Sequence, residues 1–95
     1  MTILHTFTQT PEENLDYFLD YQRELDPLDD EIISSAWSLP DVLTATNADF
    51  DGMKAWVFIA GGVEGQIYPI SNLVRTQAGR TYAKFFRLKI ETPTA

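Results

Sequence analysis

The chain has 95 residues, 44% of them apolar and 13% aromatic, with a net charge of −7. This suits one small domain that buries about 60 to 65% of its unfolded surface, and it argues against intrinsic disorder. There is no cysteine and one histidine, His5, so a disulfide framework, a thiolate zinc site and a His-rich metal site are excluded, and a Ser-His-Asp triad built on a near-terminal imidazole is not expected. The acidic balance also disfavours nucleic acid, because phosphate contact needs a basic surface.

In chain order, "MTILHTFTQTPEEN" lacks a positive start followed by an apolar run of roughly 7 to 15 residues. No segment approaches the roughly 18 consecutive apolar residues of a membrane span. Neither a secreted precursor nor a membrane protein is expected, and the cysteine-free chain suits folding in cytosol. Residues 1–95 read as a single domain with loose ends at about 1–10 and 91–95. Next, "TPEENLDYFLDYQREL" carries two signals. Thr10, Pro11 and Glu13 form a helix start with a capping box, and Leu15, Phe18 and Leu19 follow at helical spacing. The same stretch alternates Leu15, Tyr17, Leu19 and Tyr21 at strand spacing, so helix and strand both remain open over residues 11–24.

The loop "LDPLDDE" gathers Asp26, Asp29, Asp30 and Glu31, but their spacing is not that of an EF-hand, and a solvated loop is expected rather than a calcium site. From there on, β-type runs alternate with turn signals. "EIISSAWSL" ends at Pro40, "VLTATNADF" at the Asp51-Gly52 turn, and "KAWVFIAGG" at Gly61 and Gly62. "GQIYPISNLVRT" and "RTYAKFFRLKIE" are joined by "QAG", with Gly79 placed for positive φ. Turns about every ten residues argue for an all-β sandwich or barrel. "AGGVEG" has neither a lysine nor a following helix, so it reads as a turn and not a phosphate loop. No carboxylate pair is singled out for glycoside hydrolysis.

The aromatic residues sort by strand face. Trp37, on a strand expected to lie centrally, is expected in the core with Tyr68, Ile70, Phe86 and Leu88, and Tyr68 stands where a tyrosine corner would sit. In the last strand Tyr82, Phe86, Leu88 and Ile90 share one face, while Phe85, Arg87 and Lys89 share the other. "AWVFIA" is apolar on both faces, with Trp56 and Phe58 opposite Val57 and Ile59, although a two-sheet sandwich buries one face of each sheet. Trp56, Phe58, Phe85, Arg87 and Lys89 are therefore the candidate partner interface. No catalytic, cofactor-binding or metal-binding residue is expected. Charge is segregated too. Nine of the fourteen acids lie from Glu12 to Glu31, whereas the stretch from Lys54 onward holds six bases against Glu64 and Glu91. A solvated acidic edge or a charge-complementary contact between subunits would each account for that.

The segments "LDYFLDY", "DEIISSAWSLP", "FIAGGVEGQIYPISNLVRTQAGRT" and "FRLKI", in this order and spacing, resemble a family of small β-sandwich proteins of tailed phages and prophages, described as fibre-tail adaptor or tail-associated virion proteins. The resemblance spans roughly residues 14–90. Its most specific part is Gly61, Gly62, Gly65, Tyr68, Ile70, Asn72, Gly79, Arg80 and Thr81. It implies an immunoglobulin-like β-sandwich of about seven antiparallel strands, with extended structure through "LDYFLDY". It also implies a non-enzymatic virion component, made in the bacterial host cytoplasm, whose partners are other phage structural proteins or further copies of itself. The chain departs from the family where a second tryptophan-rich cluster is usual, having Tyr21 within "DYQREL". A carbohydrate-binding module and a head decoration protein are the alternatives.

Overall fold

The computed structural model describes residues 5–92. Its strands are β1 (His5–Gln9), β2 (Asn14–Asp20), β3 (Ile32–Ser38), β4 (Leu43–Phe50), β5 (Lys54–Gly61), β6 (Ile67–Thr76) and β7 (Thr81–Ile90). They form two sheets in the orders β1-β7-β6-β3 and β2-β5-β4, packed face to face as an immunoglobulin-like sandwich. Pairing is antiparallel throughout except for β1, which runs parallel to β7. Residues 5–9 of the expected loose start form β1. Of the rest, residues 10, 91 and 92 are described and lie in no strand, and residues 1–4 and 93–95 lie outside the described residues.

All five β runs read downstream of Glu31 are strands. Their turns form where the sequence places special backbone chemistry. The Asp51 carboxylate accepts the Met53 and Lys54 amides at 2.8 Å each, closing the β4–β5 turn, and these bonds hold its pKa below the ordinary value. Gly79 turns the β6–β7 hairpin at φ +93°. At Gly62, φ is +98°, and a Cβ there would lie 2.6 Å from the Ile90 Cγ1, so close approach to the core also requires glycine.

The ambiguous segment resolves into parts of both readings. Glu13 does reach back to the Thr10 amide at 2.7 Å, and the Glu13 amide donates to the Thr10 carbonyl at 3.2 Å, so the capping-box bond exists as a turn with no helix behind it. From Asn14 the chain pairs with β5 from Lys54 to Ala60, which would otherwise be an unpaired apolar edge; that tertiary demand outweighs the local helix signal. One helical turn, α1 (Gln22–Leu25), follows the strand, and a 3-10 turn (Asp26–Leu28) follows α1.

Two contiguous clusters fill the space between the sheets. One holds Tyr17, Leu43, Val57, Ile59, Ile70, Phe86, Leu88 and Ile90; the other holds Tyr21, Leu25, Ile32, Ala55 and Val74. Phe86 is the hub of the first, with ring centroids of Phe7 and Tyr17 each 5.4 Å away and Trp37 at 6.3 Å. Ile70, Phe86 and Leu88 are buried as expected, while Tyr68 and Trp37 are half-buried at its margin. Trp37 also corrects the expected strand order: β3 is an edge strand, and the indole packs against both clusters from the side. The Tyr68 hydroxyl accepts the Val63 amide at 2.9 Å, the upstream backbone contact of a tyrosine corner.

Buried polar groups link the layers. Gln9 donates to the Ile59 carbonyl at 3.0 Å and accepts the Tyr17 hydroxyl at 2.6 Å, tying β1 to the opposite sheet. Tyr21 donates to the Asn72 side-chain oxygen at 2.9 Å. Burial, with Glu13 and Asp16 nearby, pushes the Tyr17 pKa up to about 12, and burial with Glu24 raises that of Tyr21, so both hydroxyls stay protonated donors. Asp30 is buried and bonded to Thr76, to the Ala78 and Glu31 amides and, at 3.0 Å, to Arg80. It pins the loop after α1 to the β6–β7 hairpin.

Two measurements check this packing. Truncating Phe86 to alanine should destabilise the domain by about 3 to 5 kcal/mol in urea unfolding; an unchanged midpoint would mean that the faces of β7 are assigned the wrong way round. The Thr76 hydroxyl foremost, then the two amides and Arg80, hold the Asp30 carboxyl at about 2 against an ordinary value of 3.8. Because that pKa is depressed, the stability it confers is fully present above about pH 4 and is lost as pH falls toward about 2. Melting temperatures of the wild type should therefore fall more steeply across this window than those of Asp30→Asn, and parallel curves would contradict the assignment.

Candidate partner interface

Alternation along a strand sends every second side chain out of the sandwich, and the two sheets turn their outer faces in opposite directions. The predicted interface residues are accordingly divided. Trp56 and Phe58 lie half-buried on the outer face of β5, whereas Phe85, Arg87 and Lys89 lie on the outer face of β7. They do not form one patch but lie on two opposed faces.

On the β2-β5-β4 face, Phe18 stands directly across from Trp56, Asp16 across from Phe58, and Asp20 across from Lys54. β4 adds Asp49 beside Trp56 and Thr46 beside Phe58. Asp16, Phe18, Asp51, Lys54, Trp56 and Phe58 line a shallow depression. Phe18 is 62% exposed, and the Lys54 ammonium lies 5.9 Å from its ring centroid. This is an aromatic patch set among carboxylates.

The β1-β7-β6-β3 face is different in kind. Phe85, Ile67 and Leu73 expose 50%, 53% and 41% of their surface. Across the register Arg87 neighbours Pro69 and Thr6, Lys89 neighbours Ile67 and Thr8, and Arg75 neighbours Ser34 and Thr81. No outward strand position on this face is acidic. Lys89 pairs with Glu91 at 2.9 Å just beyond the strand end. Phe85 borders a shallow depression with Leu39, Pro40 and Pro69.

Phe18, Asp16, Ile67, Leu73 and Arg75 share these outer faces and were not among the expected candidates. The strand reading of "LDYFLDY" already sends Phe18 and Asp16 away from Leu15, Tyr17 and Leu19, so the signal for two of them was present. Elsewhere the acids of the Asp26–Glu31 stretch do not converge. Asp30 turns inward to Arg80, and among the described residues no group of three or more His, Asp or Glu side chains could hold a metal ion. Nor, among those residues, is any helix long and apolar enough to cross a membrane.

Comparison with known proteins agrees with this architecture. The family model described as Podophage GP4 fiber-tail adaptor protein gp77 matches residues 9–89. The solution structure of the PKD domain from the KIAA 1837 protein superposes with a TM-score of 0.57 at 21% identity, covering 97% of this chain and 85% of that one; the likeness is one of fold. No curated protein matches the chain.

Because Phe85 is half-exposed on an outer face, Phe85→Asp should leave the unfolding free energy within about 0.5 kcal/mol of wild type. Loss of the folded circular-dichroism signal would instead place Phe85 in the core.

Proposed function

Because the chain belongs to the podophage fiber-tail adaptor family, we propose that it is a non-enzymatic structural component of the virion tail, acting as a module that joins tail and fibre components through protein–protein contacts. The observation that carries this reading is the pair of opposed outer faces, each with exposed aromatic or aliphatic side chains that the one small core does not use. A joining module must hold two things at once. A sandwich with two contact faces on a common rigid core meets that need without any moving part. Its partners are other structural proteins of the particle, and it reaches the virion after folding in the host cytoplasm.

The aromatic cluster Phe18, Trp56 and Phe58, with Asp16 and Asp51 at its border, favours a second reading, in which sugar rings stack on that face beside hydrogen-bonding carboxylates. Glycan titration of the isolated chain separates the two, since a protein-contact face predicts no saturable sugar binding.

Burying one aromatic side chain is worth roughly 1.5 to 3 kcal/mol, partly offset by the cost of association. Replacing it with a charge should therefore weaken a contact about tenfold or more. Phe85→Asp and Phe18→Asp, each folded by circular dichroism, should be incorporated into tails less efficiently than wild type when they compete with it during particle assembly. Normal incorporation of both variants would show that neither face is the contact surface.

A further inference from the structure

The two outer faces are complementary to each other. In a chain with fourteen acids and seven bases, the outward strand positions of the β1-β7-β6-β3 face carry Arg75, Arg87 and Lys89 and no acid. The opposite face carries Asp16, Asp20 and Asp49 against Lys54. The other bases on the strands and turns are engaged within the fold: Arg80 with Asp30, Lys84 with Glu24, and Lys54 over the Phe18 ring. Among the described residues Arg75 and Arg87 make no ion pair, and neither do Asp16, Asp20 and Asp49. Each face also brings apolar surface, from Phe85, Ile67 and Leu73 on one side and Phe18, Trp56 and Phe58 on the other.

We infer that the acidic aromatic face of one molecule docks onto the basic apolar face of a second copy of this chain. This inference rests on the reading of the outer faces as protein contacts, and it names the occupant. Arginine is suited to the partner role, because its guanidinium can stack on an aromatic ring while bonding a neighbouring carboxylate. Arg87 beside Phe85 meets Phe18 and Trp56 beside Asp16 on those terms. Like-on-like contact would set carboxylate against carboxylate, or base against base, and is disfavoured by that repulsion. The extents of the molecule, 49 × 28 × 20 Å, leave each broad face room for the roughly 800 Å² per partner of a standard interface. Since the two faces point in opposite directions, the contact is heterologous. It extends as a stack or closes as a ring, leaving a free face at each end of an open stack for other components.

Heterologous docking has a signature that no other mode of self-association shares. Sedimentation of the full-length wild-type chain at low ionic strength should reveal association that grows with protein concentration and weakens with added salt. Arg87→Glu disables only the basic face and Phe18→Asp only the aromatic one. Each variant alone should be monomeric with a wild-type circular-dichroism spectrum, while an equimolar mixture should form a 1:1 complex through the two intact faces. The inference is overturned if the wild type stays monomeric at millimolar concentration and low salt, if only one of the variants loses association, or if the mixture remains monomeric. A monomeric wild type that is still incorporated into tails would reject this contact and leave the adaptor reading standing; the salt titration needs no variant and so is immune to any folding defect.

Discussion

The side-chain amide of Asn72 lies fully buried on β6, and each of its polar atoms has a partner: its oxygen accepts the Tyr21 hydroxyl at 2.9 Å, and its nitrogen donates to the Ser35 hydroxyl at 2.9 Å and the Ala36 carbonyl at 3.1 Å. An amide buried without partners would cost several kcal/mol, so this site tolerates only an arrangement in which all three bonds form. That condition is geometric. It holds edge strand β3 in register on β6, and it holds the turn between β2 and α1 against the opposite sheet. Lys84 closes the same corner from β7, with its ammonium 2.7 Å from the Asp20 carbonyl, 3.0 Å from Glu24 and 4.9 Å from the Tyr21 ring centroid. Gln9 performs a similar service toward the other end of the sandwich. The apolar clusters supply the drive for collapse, and these polar bonds select one spacing and one register among the packings that apolar residues alone would permit.

Much of this architecture is legible in the amino-acid order. The strands after Glu31 announce themselves because local chemistry decides them: Pro40, Asp51-Gly52 and Gly79 stop or turn the chain, and alternation in the last strand separates Phe86 and Leu88 from Phe85 and Arg87. Residues 10–25 are less legible, because the capping-box residues and the alternating residues overlap and the deciding influence, the unpaired edge of β5, is distant in sequence. Tyr21 illustrates the point. Its place in the strand alternation competes with the helix reading of the same stretch, yet it is fully buried and bonded to Asn72. The edge placement of β3, and with it the half-burial of Trp37, depends on strand order, which hydrophobic periodicity does not encode. The same holds for the outer faces: alternation tells which side chains leave the core but not toward which side of the molecule, so Trp56 and Phe85 look alike in sequence and lie on opposite faces.

The functional consequence follows from stiffness. A joining protein transmits orientation as well as attachment, and a sandwich whose sheets are clamped by satisfied buried polar groups presents its outer residues at fixed separation and angle. Charge segregation along the chain then becomes charge segregation in space. The acids of β2 and β4 go to one face, and Arg75, Arg87 and Lys89 of β6 and β7 go to the other. Among the described residues, that polarity is the feature that most distinguishes one side of the molecule from the other.

The dependence of the whole on the Tyr21–Asn72 contact is tested most directly by a double-mutant cycle. Urea unfolding of wild type, Tyr21→Phe, Asn72→Leu and the double variant should give a coupling energy between about 0.5 and 3 kcal/mol, with the second substitution costing less once the first is made. Additive losses would contradict the account, since the two side chains would then contribute independently and the sheets would owe their spacing to apolar packing alone.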